Sequence, residues 1–437
     1  MEELGDWKRT HYSKEISGKF DSKEVIVMGW VRAIRTQGKI TFIKLADREG
    51  FSQIILKENE TKPNVLKKFE EISRESVIAV KGTVKKNKEA PNKWEIIPIE
   101  VKILNLAETP LPLEVETKKT PAELVTRLDS RFLDLRKREV AAIFKVTDTV
   151  KSAFLEFFGK QGFVDINTPV IVAAATEGGA ELFPLKYFER EAFLSQSPQL
   201  YKQILMSTGF DKVVIVTPVF RAEPHDTYRH LNESMQMDIE VAFVRNEEDA
   251  LEYFDKFLPY AIEKIKKKNK TDLKFLGTEI KEVKAPIKRI TYEEALEVLN
   301  KKGIKIKFGE DLTPEAERKL CEEFNPVIVT KWPFIVRSFY CMKEGEKLCK
   351  GYDLLYNGIE IASGAQREHR YDNLVGNMKA KNLNPKSFEF YLNAFRYGMP
   401  PHAGWSIGLE RFVMTLLNLQ NIREARLFPR TRERIHP

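Results

Sequence analysis

The first hundred residues carry a succession of short strand-like segments that only a small β-rich domain accommodates. Three segments rich in β-branched and aromatic residues come first, separated by turn residues: Glu24–Ala33, Lys39–Ala46 and Phe51–Leu56. Asn64–Ile72 then spaces its apolar residues as a helix does, and two more strands follow over Val77–Val84 and Lys93–Leu104. This order of three strands, one helix and two strands predicts a five-stranded β-barrel.

The same order is that of the OB-fold, a Greek-key barrel that often binds single-stranded nucleic acid. Residues 1–105 contain 21 basic and 16 acidic side chains, so this segment supplies +5 of the formal net charge of +8. A basic surface favours a polyanionic partner. A lysine-rich barrel with another function has the same pattern, and the strand order alone does not choose between the two interpretations.

A proline-rich segment separates this barrel from a larger second half. Leu106–Ala122 has little apolar periodicity, which is typical of an extended connection. Beyond it, Val140–Lys160 predicts a long helix with an apolar face, and later strands and helices mix without the regular order of a parallel sheet. We therefore predict an α+β protein with a barrel domain over 1–105, a hinge over 106–135 and a second domain over 136–437.

The composition argues against several classes of protein. No run of about 18 or more apolar residues occurs, so we expect no membrane span, and the N-terminus lacks the pattern of a secretory signal. Only three cysteines occur, without CxxC spacing, which disfavours a disulfide scaffold or a cysteine-rich zinc site and favours the cytoplasm. Neither a GxGxxG nor a GxxxxGKS/T phosphate loop is present, so nucleotide binding requires another architecture.

Charged side chains concentrate in Phe220–Glu233, between the apolar strands Val213–Val219 and Met235–Phe243. Within ten positions this loop holds two arginines, two histidines and two acidic residues: Arg221, Glu223, His225, Asp226, Arg229 and His230. Arginine suits phosphate groups, and a carboxylate suits an amino group or a metal. The pattern favours a ligand site, and a surface hairpin with an ion-pair network is the alternative.

Two further segments stand out beside this hairpin. In Gly404–Arg411 a glycine-punctuated strand enters the apolar helix Phe412–Leu419, and Arg411 lies in the first helical turn, where the macrodipole disfavours a cation. Arg411 therefore serves either a ligand or a tertiary carboxylate partner. Gly162–Pro169 leads from a helix into a strand that ends at a proline, which alone is typical of an ordinary turn.

In chain order, Gly162–Pro169, Phe220–Glu233 and Gly404–Arg411 resemble motifs 1, 2 and 3 of the class II aminoacyl-tRNA synthetases. The barrel in front is similar to that of the aspartate, asparagine and lysine subgroup. Three more segments resemble archaeal-type aspartyl-tRNA synthetases: Thr176–Phe183, Ser195–Gln203 and Glu360–His369. The resemblance covers essentially the whole chain and implies an anticodon-binding barrel, an antiparallel catalytic sheet flanked by helices, and a homodimer whose interface is formed by motif 1.

The resemblance also implies a nucleotide site with Arg221 and Arg411 as its catalytic residues. Arg221 would bind the ATP α-phosphate and the amino-acid carboxylate, and Arg411 would lie on the adenine ring. Mg²⁺ is implied as the cofactor, held by Glu360 and Ser363 against the phosphates. The implied ATP contacts are Arg221, Ala222, Glu223, Arg229, His230, Leu231, Glu360, Gly408, Leu409, Glu410 and Arg411.

For the amino acid, the resemblance implies a pocket in which Lys202 decides the substrate, because an aspartate side chain needs a cation and an asparagine amide does not. Related asparaginyl enzymes resemble QLYLE where this chain reads Gln199–Gln203. The implied reaction is the activation of L-aspartate with ATP and its transfer to the 3′ end of tRNA-Asp. An asparaginyl-tRNA synthetase and a nucleic-acid-binding synthetase paralogue are the alternatives. The implied amino-acid contacts are Glu177, Gln199, Leu200, Tyr201, Lys202, Arg221, Ser363 and Arg367.

In the barrel, Arg35, Phe42 and Gln53 match positions that read the central anticodon uridine in the family. A barrel-core position is the alternative for Phe42. Arg32 stands where some archaeal relatives have an aromatic residue that helps to separate the aspartate from the asparagine anticodon, so the resemblance leaves open whether tRNA-Asn is charged too. Ser234 replaces the aromatic residue that stacks on adenine in many relatives, which leaves that face to another residue such as His230.

Overall fold

The computed structural model describes the chain of 437 residues apart from residues 91, 117–121, 174–180 and 225–226. The chain divides into two compact units, Met1–Asp134 and Leu135–Pro437. Three residues singled out in the sequence lie outside the described ranges, namely Glu177, His225 and Asp226. No helix within the described ranges is long and apolar enough to cross a membrane.

In the first unit the described strands are β1 (Glu24–Gln37), β2 (Ile40–Ala46), β3 (Phe51–Lys57), β4 (Val77–Lys86) and β5 (Trp94–Asn105). They close into a barrel in the order β1-β2-β3-β5-β4. Helix α1 (Pro63–Glu70) lies between β3 and β4 in the chain, and α2 (Leu124–Asp129) and α3 (Arg131–Asp134) follow the barrel. The predicted five-stranded OB-type barrel is confirmed.

The first strand, β1, extends beyond the predicted Ala33 to Gln37. Its last residues are polar, so their composition does not predict a strand, but they pair with β2 across a turn at Gly38, where φ is +58°. Alternate residues of β2, Ile43 and Leu45, point into the aliphatic barrel core. The side chains between them therefore face outward.

In the second unit the described strands are β6 (Val164–Asp165), β7 (Ile171–Val172), β8 (Pro184–Tyr187), β9 (Arg190–Leu194), β10 (Lys212–Phe220), β11 (Glu233–Ala242), β12 (Lys288–Thr291), β13 (Val327–Thr330), β14 (Lys343–Glu344), β15 (Leu348–Cys349), β16 (Gly351–Tyr356), β17 (Ile359–Gln366) and β18 (His402–Gly408). The described helices are α4 (Arg138–Lys160), α5 (Gln199–Met206), α6 (Glu248–Lys268), α7 (Lys270–Leu276), α8 (Tyr292–Lys301), α9 (Pro314–Glu323), α10 (Tyr371–Ala380), α11 (Glu389–Arg396) and α12 (Leu409–Leu417). Short 3-10 helices lie at Ser13–Glu15, Gly18–Phe20, Phe334–Val336, Pro385–Phe388 and Ile422–Ala425.

Eight strands of the second unit form one sheet in the order β12-β13-β16-β17-β18-β11-β10-β6. Neighbours run antiparallel except in the outer pairs, β12–β13 and β10–β6, which are parallel. Helices α4, α6 and α12 cover one face, where Phe154, Phe158, Phe254 and Trp405 pack together. The predicted antiparallel sheet flanked by helices is confirmed.

The opposite face of this sheet carries a row of polar side chains. Asp353 on β16, Ser363 on β17, Ser406 on β18 and Asp238 on β11 are direct cross-strand neighbours. Two smaller apolar cores lie on the same side, one around α8 and α9 and one around α5, α10 and α11. This polar row is therefore bordered by apolar walls.

A β-bulge on β17 directs one acidic residue toward the polar row. The pairing with β16 shifts between Leu354 and Leu355, which leaves Ile361 as the extra residue on β17. In a regular strand, two residues three positions apart face opposite sides of the sheet. Glu360 and Ser363 are three positions apart, and the extra residue of the bulge lies between them. Both side chains therefore face the polar side of the sheet.

Candidate active site

A cavity of about 310 Å³ opens over the polar row. It brings together three segments that are far apart in the sequence, Phe220–Glu233, Glu360–His369 and Gly404–Arg411. The predicted site residues on its wall are Gln199, Arg221, Glu223, Arg229, His230, Leu231, Glu360, Ser363, Arg367, Gly408, Glu410 and Arg411.

Arg221 follows directly after β10 and presents an uncommitted positive charge to the cavity. Its backbone N–H donates to the Asn232 carbonyl at 2.9 Å, and the Asn232 side chain donates back to the Arg221 carbonyl at 2.8 Å. The backbone is therefore fixed from both sides. Its guanidinium has no hydrogen-bond or ion-pair partner among the described residues, which leaves it available to an anionic ligand.

Arg229 and His230, further along the same loop, are held by other protein groups. The Arg229 guanidinium binds the Glu317 carboxylate of α9 at 3.2 and 3.3 Å. His230 shares a 2.7 Å hydrogen bond with Thr227 and lies 3.9 Å from the Glu223 carboxylate. Burial lowers the pKa of His230, so its ring is neutral at physiological pH.

Glu360 lines the opposite wall of the cavity near the Asp353 carboxylate, and we call this side the acidic wall. Burial, followed by the neighbouring Asp353 carboxylate, raises its pKa from 4.5 to about 7. Arg411 opposes this shift: its guanidinium donates to the Glu360 carbonyl at 3.1 Å and lies 3.9 Å from the carboxylate. Arg411 thus has a carboxylate partner and also lines the cavity, so the two interpretations of its place at the helix start are compatible.

Asp353 is paired with an arginine that the sequence did not single out. The Arg337 guanidinium donates to both Asp353 carboxylate oxygens at 2.7 and 2.8 Å and to the Ser363 hydroxyl at 3.0 Å. Such a bidentate pair fixes both side chains. Among the described residues, no group of three or more histidine, cysteine, aspartate or glutamate side chains is assembled for a metal ion by the protein alone.

The floor of the site is a buried cluster of two cations and two carboxylates, which we call the charged floor. The Lys202 ammonium donates to Asp238 at 2.8 Å and lies 3.4 Å from Glu240. Arg367 donates to Glu240 at 2.9 Å and to the Gln199 side chain at 3.2 Å. Burying these charges is tolerable because each one has an opposite partner.

Gly404 makes the charged floor possible. A Cβ atom at this position would lie 2.2 Å from a Glu240 carboxylate oxygen and 2.3 Å from the Ile239 carbonyl oxygen. The Gly404 carbonyl also accepts a hydrogen bond from Arg367 at 2.9 Å. Only glycine allows the two strands and the carboxylate to come this close.

Several predicted contacts lie off the cavity wall. Lys202 is fully buried and its ammonium is engaged by Asp238, so its contact with a substrate stays a prediction. The Glu410 carboxylate, although at the wall, accepts from the Met235 N–H and from Arg426. The remaining residues off the wall are Leu200 and Leu409, which are core residues, Tyr201, which lies against Phe390, and Ala222.

The sequence did not single out Asp238, Glu240, Arg337, Asp353 and Glu317, although all five hold or line the site. Two of the acidic residues share one signal: Asp353 interrupts the apolar β16, and Glu317 lies on the buried face of α9. A carboxylate in such an apolar setting needs a partner and therefore marks a site. Asp238 and Glu240 carry no such signal, because polar and apolar residues alternate along β11 as they do in an ordinary strand with one solvent-facing side.

The barrel residues Arg35, Phe42 and Gln53 share one outer face of the first unit. Arg35 pairs across strands with Phe42, while Gln53 pairs with Lys44, which lies on the same face of β2 as Phe42. Phe42 is half-buried and outside the barrel core, so the alternative of a core residue is wrong. Arg32, in contrast, is buried and paired with Glu75.

Two sequence families match the chain. The family described as tRNA synthetases class II (D, K and N) matches residues 123–432, and the OB-fold nucleic acid binding domain matches residues 25–104. The aspartate–tRNA(Asp/Asn) ligase of Methanocaldococcus jannaschii is 48% identical over 434 residues, covering 99% of each chain. The aspartate–tRNA(Asp) ligase of Pyrococcus furiosus is 48% identical over 437 residues, covering 98% of this chain and 100% of that one.

Solved structures give the same picture for the fold. Asparaginyl-tRNA synthetase from Pyrococcus horikoshii, complexed with asparaginyl-adenylate, superposes with a TM-score of 0.92 at 32% identity, covering 98% of this chain and 100% of that one. Aspartyl-tRNA synthetase from Entamoeba histolytica superposes with a TM-score of 0.88 at 32% identity, covering 98% and 93%. With both units matched, and with Phe220–Glu233 and Gly404–Arg411 meeting at one cavity, the chain belongs to the class II tRNA synthetases of the aspartate, lysine and asparagine group.

Proposed function

We propose that the chain is an aspartate–tRNA ligase, which activates L-aspartate with ATP and transfers it to the 3′ end of tRNA-Asp. The observation that carries the proposal is that Arg221, which has no described partner for its guanidinium, meets the charged floor and the acidic wall in one cavity. Relatives named as aspartate–tRNA ligases, 46–49% identical over almost the whole chain, support the choice of amino acid.

In the activation step the substrate α-carboxylate attacks the α-phosphorus of ATP, and pyrophosphate leaves. The attacking group is already ionised, so the protein needs to supply positioning and charge stabilisation rather than a general base. Arg221 is suited to this role because its guanidinium is free of other described partners. It would bind the α-phosphate and the carboxylate and offset the charge that develops between them.

For the nucleotide, we propose that Arg411 lies on one face of the adenine ring and that neutral His230 covers the other. Both residues line the cavity, and the lowered pKa of His230 leaves a flat uncharged ring. Ser234 also lines the cavity and has no aromatic surface to offer. Arg229 and Glu223 would contact the remaining parts of ATP.

The acidic wall fits a divalent cation, which we propose is Mg²⁺ held by Glu360 and Ser363. Carboxylate and hydroxyl oxygens are the ligands that this ion prefers, and ATP phosphates commonly complete its coordination. Burial and the Asp353 charge raise the pKa of Glu360, and a bound cation would favour its ionised form. When bound, the ion would supply charge that offsets the phosphate oxygens.

The amino-acid side chain would lie toward the charged floor. Arg367 lines the cavity beside Gln199, while Lys202 lies behind Asp238. An aspartate carboxylate accepts from the Arg367 guanidinium, whereas an asparagine amide presents donors that the guanidinium cannot accept. We propose that Arg367 makes the direct contact and that Lys202 shares it when Asp238 yields one hydrogen bond.

The other partners follow from the two units. We propose that the barrel (1–105) binds the anticodon through Arg35, Phe42 and Gln53, that 106–135 is a hinge, and that 136–437 is catalytic. A homodimer through motif 1 is supported by β6, an outer strand of the sheet whose two residues are both exposed. The reaction is proposed to take place in the cytoplasm.

The direct test is ATP–pyrophosphate exchange with Mg²⁺ and each amino acid in turn. Exchange that depends on aspartate supports the proposal, exchange that depends on asparagine supports an asparaginyl-tRNA synthetase, and neither in a folded protein contradicts both. ATP binding without exchange would indicate a nucleic-acid-binding paralogue. Charging of tRNA-Asp and tRNA-Asn transcripts side by side then gives the tRNA range.

A further inference from the structure

Glu317 is a buried carboxylate behind the cavity wall that none of the roles above uses. It lies on α9 and is 3% exposed, on the same helix face as Ala316, Leu320 and Cys321. An isolated carboxylate in such a place is costly, so its position is explained only by its partners.

Those partners are two separate parts of the proposed nucleotide site. Glu317 accepts from both terminal nitrogens of the Arg229 guanidinium at 3.2 and 3.3 Å, and from the backbone N–H of Glu360 at 3.1 Å. Glu360 is the residue next to the β-bulge of β17. One side chain therefore ties α9, the loop after β10 and the bulged strand together.

We propose that Glu317 is a positioning residue for ATP, an inference that rests on the proposed function. A free arginine side chain loses rotamer entropy when a ligand orders it. An arginine already held by a carboxylate has met that cost before the ligand binds. Glu317 thus keeps Arg229 and the Glu360 backbone in the arrangement that receives the nucleotide.

The contacts also predict which substrate is affected. Among the described residues, Glu317 accepts hydrogen bonds from Arg229 and Glu360, and neither of these belongs to the charged floor. Loss of Glu317 should therefore weaken ATP binding and leave aspartate binding nearly unchanged. A residue that merely stabilises the fold would affect both substrates alike.

The chain offers a matched control in Asp255 on α6. Its carboxylate accepts from both terminal nitrogens of Arg289 at 2.8 Å and from the backbone N–H of Ile287 at 2.7 Å. It repeats the pattern of one arginine and one backbone N–H, but it does not line the described cavity. Asp255→Asn therefore imposes a comparable structural loss outside the site.

The experiment compares Glu317→Gln, Glu317→Leu and Asp255→Asn by calorimetric titration with ATP and by the KM values of ATP–pyrophosphate exchange. We expect ATP affinity to fall about tenfold in Glu317→Leu and less in Glu317→Gln, whose amide oxygen still accepts from the Glu360 N–H. The KM for aspartate should stay within about twofold, and Asp255→Asn should change neither constant.

A double variant sharpens the test, because action through Arg229 predicts non-additivity. The loss of ATP affinity in Glu317→Gln with Arg229→Gln should be smaller than the sum of the single losses. Equal losses for ATP and aspartate, unchanged or increased ATP affinity in both Glu317 variants, or an additive double variant would overturn the proposal. Titration with ATP tests the role of Glu317 even if the wild type shows no aspartate-dependent exchange. The absence of that exchange would contradict the proposed function and not the role of Glu317.

Discussion

The two units present their candidate ligand-binding residues in opposite ways. In the second unit Lys202 and Glu240 are fully buried and paired with each other. In the barrel Arg35 is exposed, and Phe42 lies half-buried on the outer face beside it. Because buried charges need partners and exposed ones do not, function and stability should depend on the same contacts in the charged floor and on different contacts in the barrel.

Arg221 gives the largest expected effect, because it is a cavity residue whose loss should affect function without affecting stability. Since its guanidinium has no described partner, Arg221→Ala should lower the rate of ATP–pyrophosphate exchange by about 100- to 1,000-fold. The midpoint of thermal unfolding should stay nearly unchanged, unlike that of other cavity variants. A large drop in that midpoint would mean that Arg221 also belongs to the paired network.

Lys202→Leu should show the coupling of stability and binding that the charged floor predicts. It leaves Asp238 and Glu240 buried without their shared cation, so we expect the free energy of unfolding to fall by about 3–5 kcal/mol. The KM for aspartate should rise far more than the KM for ATP. Lys256→Leu, which removes an exposed lysine paired with Glu252, is the control and should cost less than about 1 kcal/mol. Equal increases in the KM values for aspartate and for ATP would contradict the role assigned to Lys202.

Phe42→Ala should separate function from stability in the barrel. Loss of a base-stacking surface is expected to raise the KM for tRNA about tenfold, while exchange without tRNA and the unfolding midpoint stay close to wild type. Charging assays over a range of tRNA concentrations measure this effect. Arg48→Ala, at an exposed arginine elsewhere in the barrel, is the control, and a similar rise in that variant would indicate general electrostatics instead.

The smallest effect concerns the pH dependence of stability. Burial and the Asp353 charge raise the pKa of Glu360 from 4.5 to about 7, so the folded protein keeps a proton that the unfolded chain has lost between these values. This contribution to stability is present below pH 4.5 and is lost as the pH rises through about 7. Glu360→Gln should therefore lose less stability than wild type between pH 5 and pH 8. The measurement is the free energy of unfolding of both proteins against pH, without ATP or divalent cations. Parallel plots for wild type and Glu360→Gln would contradict the shift of the Glu360 pKa.

The two units also differ in how much of their structure the sequence predicts. The barrel strands were predictable because hydrophobic alternation is local, and the outward position of Phe42 follows from the same alternation once Ile43 is known to face inward. The charged segments of the cavity were predictable as motifs. Their pairing was not, because Lys202 meets Asp238 only after α5 packs on β11.

The spacing of Glu360 and Ser363 shows a second limit. Regular alternation predicts opposite faces for these two residues, and the bulge at Ile361 is set by pairing with a neighbouring strand rather than by the residues themselves. Glu317 was missed for a similar reason, since its two partners are remote in sequence. Local patterns identify elements and motifs, whereas contacts between elements decide which charges are satisfied.

The charged floor has a consequence for behaviour on heating. The hydration of charged groups becomes less favourable as temperature rises, so the cost of keeping Lys202, Asp238, Glu240 and Arg367 out of water falls. Apolar contacts gain no comparable advantage under the same conditions. The part of the site proposed to distinguish aspartate from asparagine should therefore hold its geometry in hot solution.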